Sequence, residues 1–222
     1  MFRRRGKNRR LFSKILILVL IVLFVLSAIS IFYPLDYMEY IDKYSKEYDV
    51  DPILVAAIIN VESKYKKDAI SSKDARGLMQ IGPTTGEWAG EELNIENYNP
   101  NMLFIPETNI RIGSWYLSKL KSEFGDNLDL ILAAYNAGSG NVQKWRQDSS
   151  YSKDGITLEN IPFKETADYL VKVKLNFKVY DLIYDNTISN SESMGTYYLD
   201  FMNAIRKKLL NISDSYGEGD IV

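Results

Sequence analysis

From Ile15 to Tyr33 the chain runs 19 residues without a charge, and Ser27, Ser30 and Tyr33 are its only polar interruptions. As a single helix that length crosses a hydrocarbon core of about 30 Å. Just before it, residues 1–14 hold Arg3, Arg4, Arg5, Lys7, Arg9, Arg10 and Lys14 and no acid. Basic residues abutting a membrane span stay on the cytoplasmic side. The sequence therefore predicts a cytoplasmic tail over 1–14, a transmembrane helix over 15–33, and a domain outside the membrane from about residue 36. Setting those seven cations aside leaves 20 basic against 29 acidic residues, so the outer part is net negative. The alternative is a secreted form released by signal cleavage. Signal peptides also begin basic, but their apolar region is usually about 7–15 residues and ends in a small-residue site; Ala28-Ile29-Ser30 is the candidate. The Arg run could instead bind nucleic acid, but the sidedness of membrane charge already accounts for it.

The chain has no His and no Cys. That excludes a disulfide framework, a lipid anchor on cysteine, the usual nitrogen and sulfur metal sites, and nucleophilic triads built on histidine. Chemistry must run on carboxylates, hydroxyls, amides or lysines. With 46% hydrophobic and 25% charged residues, the chain can bury a real core.

After Pro34 the pattern reads as mostly α. Tyr37, Tyr40, Ile41, Tyr44 and Tyr48 form a helical stripe over 36–48. Asp51-Pro52 supplies an N-cap and a proline at the first helical position. The helix it starts places Ile53, Leu54, Ala57, Ile58 and Val61 on one face, with Glu62 in its last turns. From Asp68 to Asn101 the helical period is lost, and Gly77, Gly82, Pro83, Gly86 and Gly90 predict loops or short strands. Further helices are predicted from Pro106 to about Phe124, over 127–135 up to Gly138, around 141–145, over 166–184, and over 197–210. The polar tail 211–222 is expected to fray. The whole is one domain, 36–210, following the membrane helix.

Three places could carry chemistry. Glu62 closes the most apolar helix of the outer region, where desolvation and the helix dipole both disfavour its charged form. A carboxyl held protonated in this way can act as a general acid toward a leaving oxygen; alone, Glu62 reads as a solvated helix-end residue beside Ser63 and Lys64. Gly77-Leu78-Met79-Gln80-Ile81 would let backbone and amide donors approach a ligand closely. Ala133-Ala134-Tyr135-Asn136-Ala137-Gly138 ends a helix on Tyr and Asn, and alone reads as a glycine C-cap.

Taken together and in order, Glu62-Ser63, Gly77-Leu78-Met79-Gln80 and Ala134-Tyr135-Asn136-Ala137-Gly138 resemble the motifs of the soluble lytic transglycosylase family, which is related in fold to goose-type lysozyme. Ile161-Pro162-Phe163-Lys164-Glu165-Thr166-Ala167-Asp168-Tyr169 resembles a later motif of the same family. The match spans about 36–184. Many members have Met-Pro after the second motif, where this chain has Gly82-Pro83.

The resemblance implies a lysozyme-like α+β catalytic domain. It implies cleavage of the β-1,4 bond between N-acetylmuramic acid and N-acetylglucosamine in peptidoglycan, without water, leaving a 1,6-anhydromuramyl end. Glu62 would be the single acid and base. By the same carry-over Tyr135 would stand near the N-acetyl group or the developing charge. Ser63 and Gln80 would bond substrate or Glu62, Met79 and Tyr169 would wall the sugar faces, and Asn136 would order the loop or bind a sugar hydroxyl. No cofactor or metal is implied; the partners are glycan strands and the cytoplasmic membrane of a bacterium. Two alternatives stay open: a lysozyme-type hydrolase using Glu62 with water, and a non-catalytic glycan-binding scaffold of the envelope.

Overall fold

The computed structural model describes residues 3–188, and the helix and tail predicted over 197–222 lie outside them. Two units are present, one containing residues 1–36 and the other Tyr37–Ser189.

In the first unit, α1 covers Arg3–Phe32. Its segment Phe12–Phe32 has mean hydropathy 3.3, and its side chains from Phe12 to Val25 are all exposed. This is one helix long and apolar enough to cross a membrane. It starts well before Ile15 because Arg and Lys are good helix formers and the basic tail has no proline to break the backbone ladder. It ends just ahead of Pro34, which disfavours helical backbone in the residue before it.

The second unit is built around α3 (Pro52–Glu62). Its cap forms as the sequence predicts: the Asp51 carboxylate accepts from Ile53 N at 2.7 Å and Leu54 N at 3.3 Å. Its packing differs from the one-sided face expected. Val55, Ala56, Ala57, Ile58 and Ile59 are all fully buried, so the helix is covered around its circumference, as a helix apolar on all sides must be.

It packs on α2 (Met38–Tyr48) and α8 (Lys164–Ile188), and α5 (Pro106–Phe124), α6 (Leu128–Ala137) and α7 (Ser139–Gln147) complete the unit. The long α8 packs along α3, and Asn60 reaches across to donate to Asn176 at 2.9 Å. A polar seam joins α2 to α5, with Glu107 accepting from Tyr44 at 2.7 Å and from Lys43 at 2.8 Å. The bounds of α5 are those its proline and Gly125 predict.

The segment read as loops or short strands contains a helix, α4 (Pro83–Glu92). Gly86 and Gly90 stand inside it as seats for one ring: a Cβ at either would collide with Tyr98. Among the described residues, extended pairing is confined to two isolated antiparallel bridges, Ile70 with Arg76 and Arg76 with Ile81. The β part of the expected α+β fold is reduced to the hairpin that these bridges close.

Candidate active site

α3 ends on Glu62, and the chain turns away at once. Lys64 and Tyr65 both take left-handed backbone, φ 53° and 61°, a conformation costing a non-glycine residue about 1–3 kcal/mol. Buried Tyr65 offsets this by folding back over α3, its hydroxyl reaching Ala56 O at 3.4 Å. Ser63 donates its hydroxyl to Ile59 O at 3.2 Å, a second bond on a carbonyl that already accepts the Ser63 N–H at 3.0 Å. The sharp exit leaves the Glu62 side chain half-buried at the mouth of the core.

Burial pushes the Glu62 carboxyl up to about 7; the negative charge of Glu165 adds to the rise and the Tyr169 hydroxyl opposes it. A group titrating there is protonated for a large part of the time near neutral pH and can both give and take a proton. Buried Tyr169 and half-buried Tyr135 stand near it. Tyr135 and Tyr169 are each held well above their ordinary range, by burial first and by the Glu62 charge second, so both keep their protons. Their hydroxyls are committed differently. Tyr135 donates to Met79 O at 2.8 Å, whereas the Tyr169 oxygen is shut off from solvent and completes no hydrogen bond among the described residues.

The loop carrying Met79 is a tight hairpin. Arg76 and Ile81 exchange two backbone hydrogen bonds of 3.0 Å, and Gln80 closes the turn with φ 49°. The Gln80 amide donates to Ala69 O at 3.1 Å and Gly77 O at 3.0 Å, so it bonds the loop itself. The Met79 side chain is wholly buried on Gly113, which leaves its backbone carbonyl as the part that reaches the tyrosine. On the other side, Asn136 accepts from the buried Thr166 hydroxyl at 2.8 Å, joining the end of α6 to the first turn of α8. Tyr116 packs beside Tyr135 with ring centroids 5.6 Å apart, and Trp88 continues the aromatic wall 6.4 Å beyond Tyr116.

Residues 39–157 match the transglycosylase SLT domain. The chain belongs to this family. It is 35% identical over 164 residues to the soluble lytic murein transglycosylase of Salmonella typhimurium, covering 73% of this chain and 25% of that protein. To the membrane-bound lytic murein transglycosylase C of Shigella sonnei it is 30% identical over 65% of this chain and 46% of that one. Among solved structures, an inactive mutant of the lytic transglycosylase Slt from Pseudomonas aeruginosa superposes with a TM-score of 0.63 at 32% identity, over 71% of this chain and 26% of that one. The 70 kDa soluble lytic transglycosylase of Escherichia coli, also solved in complex with bulgecin A, gives 0.60 at 32% identity, over 68% of this chain and 25% of that one. The chain thus spans about a quarter of the length of the soluble relatives and under half that of the membrane-bound one.

Glu62, Met79 and Tyr135 lie within the matched residues and Tyr169 just beyond them; the Glu62 charge acts on both tyrosines, and Met79 joins through its backbone carbonyl. Ser63, Gln80 and Asn136 spend their side chains on protein partners in this arrangement. The sequence reading missed Asn109. It is fully buried and uses its whole amide: Oδ1 accepts from Met79 N at 2.7 Å, and Nδ2 donates to Leu103 O at 2.8 Å and Arg76 O at 2.9 Å. The available clue was the i, i+4, i+7 row Asn109, Gly113 and Tyr116. A buried amide and a glycine on the inward face of a helix mark a place where foreign backbone comes close.

Proposed function

We propose that this chain is a membrane-anchored lytic transglycosylase of peptidoglycan in which Glu62 is the single general acid and base. One observation carries the reading: a carboxyl on the core helix, pushed up to about 7 by burial and faced by two protonated tyrosines, within a domain whose relatives bear the name lytic murein transglycosylase.

Protonated Glu62 gives its proton to the oxygen linking C1 of N-acetylmuramic acid to C4 of N-acetylglucosamine, and the C1–O bond breaks. Positive charge develops at C1, and the sugar's own N-acetyl oxygen stabilises it. The muramyl 6-hydroxyl then attacks C1 while the Glu62 carboxylate takes the hydroxyl proton. The acid is restored, no water is consumed, and the muramyl end closes as a 1,6-anhydro ring. Two-carboxylate glycosidases need a second acid held at a fixed separation. The nearest candidate, Glu165, is largely exposed at the start of α8 and pairs with Lys73 at 3.5 Å, so it is poorly placed to hold a nucleophile or a water. The Tyr169 hydroxyl, which already opposes the rise at Glu62, supports the carboxylate once the proton has left.

In this reading α1 anchors the domain, with the basic tail in the cytoplasm and the catalytic unit outside, so that it acts on glycan near the membrane. The test is mass spectrometry of fragments released from purified peptidoglycan by the detergent-solubilised full chain and by its Glu62→Gln variant. Anhydromuramyl ends from the first and none from the second are expected. Reducing ends, about 18 mass units heavier from the added water, would make it a hydrolase. Release of nothing by either protein would leave glycan binding as its role.

A further inference from the structure

The hairpin that presents Met79 is cast against α5. Gly77 takes φ 76°, and a Cβ there would strike Leu103 O and the Asn109 amide. Gly113, one turn along α5, leaves room for the Met79 thioether in the same way. Between these two contacts the Asn109 amide seizes the Met79 N–H, while its two donors hold carbonyls on either side of the hairpin. Met79 is therefore pinned at its nitrogen by Asn109, and at its carbonyl it receives the Tyr135 hydroxyl.

That hydroxyl has one proton. Donated to Met79 O, it leaves only lone pairs for any other neighbour, and the Glu62 charge is near enough to act on Tyr135. We propose that Asn109 is a positioning residue of this site: it fixes the Met79 peptide that commits the Tyr135 proton away from Glu62. Tyr135 then has no proton to offer the Glu62 carboxylate, which suits the acid that begins the reaction. The charged and titratable groups acting on Glu62 are Tyr169 and Glu165 from α8 and Tyr135 from α6; Asn109 works through the last of these. The inference rests on Glu62 being the acid, but it concerns the state of that acid and not the product.

The test follows Glu62 directly by side-chain carboxyl 13C NMR titration of the full chain in detergent, which needs no turnover. In Asn109→Ala the hairpin loses its two bonds to the amide, at Met79 N and Arg76 O, Tyr135 is free to turn its proton onto the carboxylate, and the Glu62 midpoint should fall by about one unit. In a Tyr135→Phe background the same substitution should move it by no more than a few tenths. In turnover, Asn109→Ala should lower kcat about tenfold while KM changes by less than about threefold. A lowered Tm with an unmoved Glu62 midpoint would overturn the proposal, as would equal shifts in both backgrounds. Should Asn109→Ala not fold, Asn109→Ser makes the same cut and leaves space for water; failure of both to fold would assign Asn109 to the scaffold alone and sink the proposal. A wild-type product with reducing ends would count against the transglycosylase reading while leaving this one standing.

Discussion

Thr166 and Asn136 form a half-buried hydroxyl-to-amide bond of 2.8 Å that ties the first turn of α8 to the end of α6. Tyr169 lies three residues further along α8, so this bond sets where its hydroxyl stands relative to Glu62. Thr166→Val keeps the side-chain shape and removes the donor, leaving the Asn136 oxygen unpaired at a cost of about 1–3 kcal/mol. Chemical denaturation should register that loss. Turnover of the folded fraction should fall as well, because Tyr169 loses its fixed position; full turnover with reduced stability would make the bond a clasp and nothing more.

Glu62 should make the protein less stable as pH rises. Its carboxyl titrates at about 7 in the fold against 4.5 ordinarily, so between those values the folded chain keeps a proton that the unfolded chain has lost. Stability therefore falls as pH rises through that window, and above it the charged group costs on the order of 3 kcal/mol. Glu62→Gln removes the cost. The variant should match the wild type near pH 4 and exceed it in denaturant midpoint near pH 8. Equal midpoints at both would mean that the carboxyl is not desolvated.

Much of this arrangement was legible in the residues, for physical reasons that can be named. The start of α3 is written in Asp51-Pro52, because a capping carboxylate and a fixed φ do their work locally. Pro106 and Gly125 bracket α5 equally plainly. Helix α4 was not legible: Gly86 and Gly90 look like breakers, and only the distant Tyr98 ring explains them. The roles of Ser63, Gln80 and Met79 were suggested by resemblance, while their actual bonds depend on carbonyls at Ile59, Ala69 and Gly77 and on a seat at Gly113, none of which a linear pattern displays. Asn109 escaped notice because its partners lie 6 to 33 residues away.

Gly113→Ala tests how closely the hairpin is fitted to α5. A Cβ at Gly113 would meet the Met79 sulfur and methyl group, in a place where both residues are fully buried. Overpacking of this kind costs about 1–3 kcal/mol. The substitution should lower unfolding stability by that amount and reduce kcat if the Met79 backbone, whose carbonyl Tyr135 bonds, shifts together with its side chain. Unchanged stability would show that the thioether has room to swing aside.

Glu165→Gln separates a one-acid from a two-acid site. The Glu165 charge raises the Glu62 carboxyl; without it that carboxyl titrates lower, and the alkaline limb of the activity profile moves toward acid. Its ion pair with Lys73 spans 3.5 Å between side chains that are both mostly exposed, so stability should change by less than about 0.5 kcal/mol. If Glu62 acts alone, the variant keeps turnover at its own optimum and releases the same anhydromuramyl ends. If Glu165 instead orients a water as the second carboxylate of a hydrolase, its substitution should cost nearly as much as Glu62→Gln and the wild type should yield reducing ends. The pH profile and the product mass of the same samples decide between them, because a purely electrostatic influence shifts the limb without stopping the reaction.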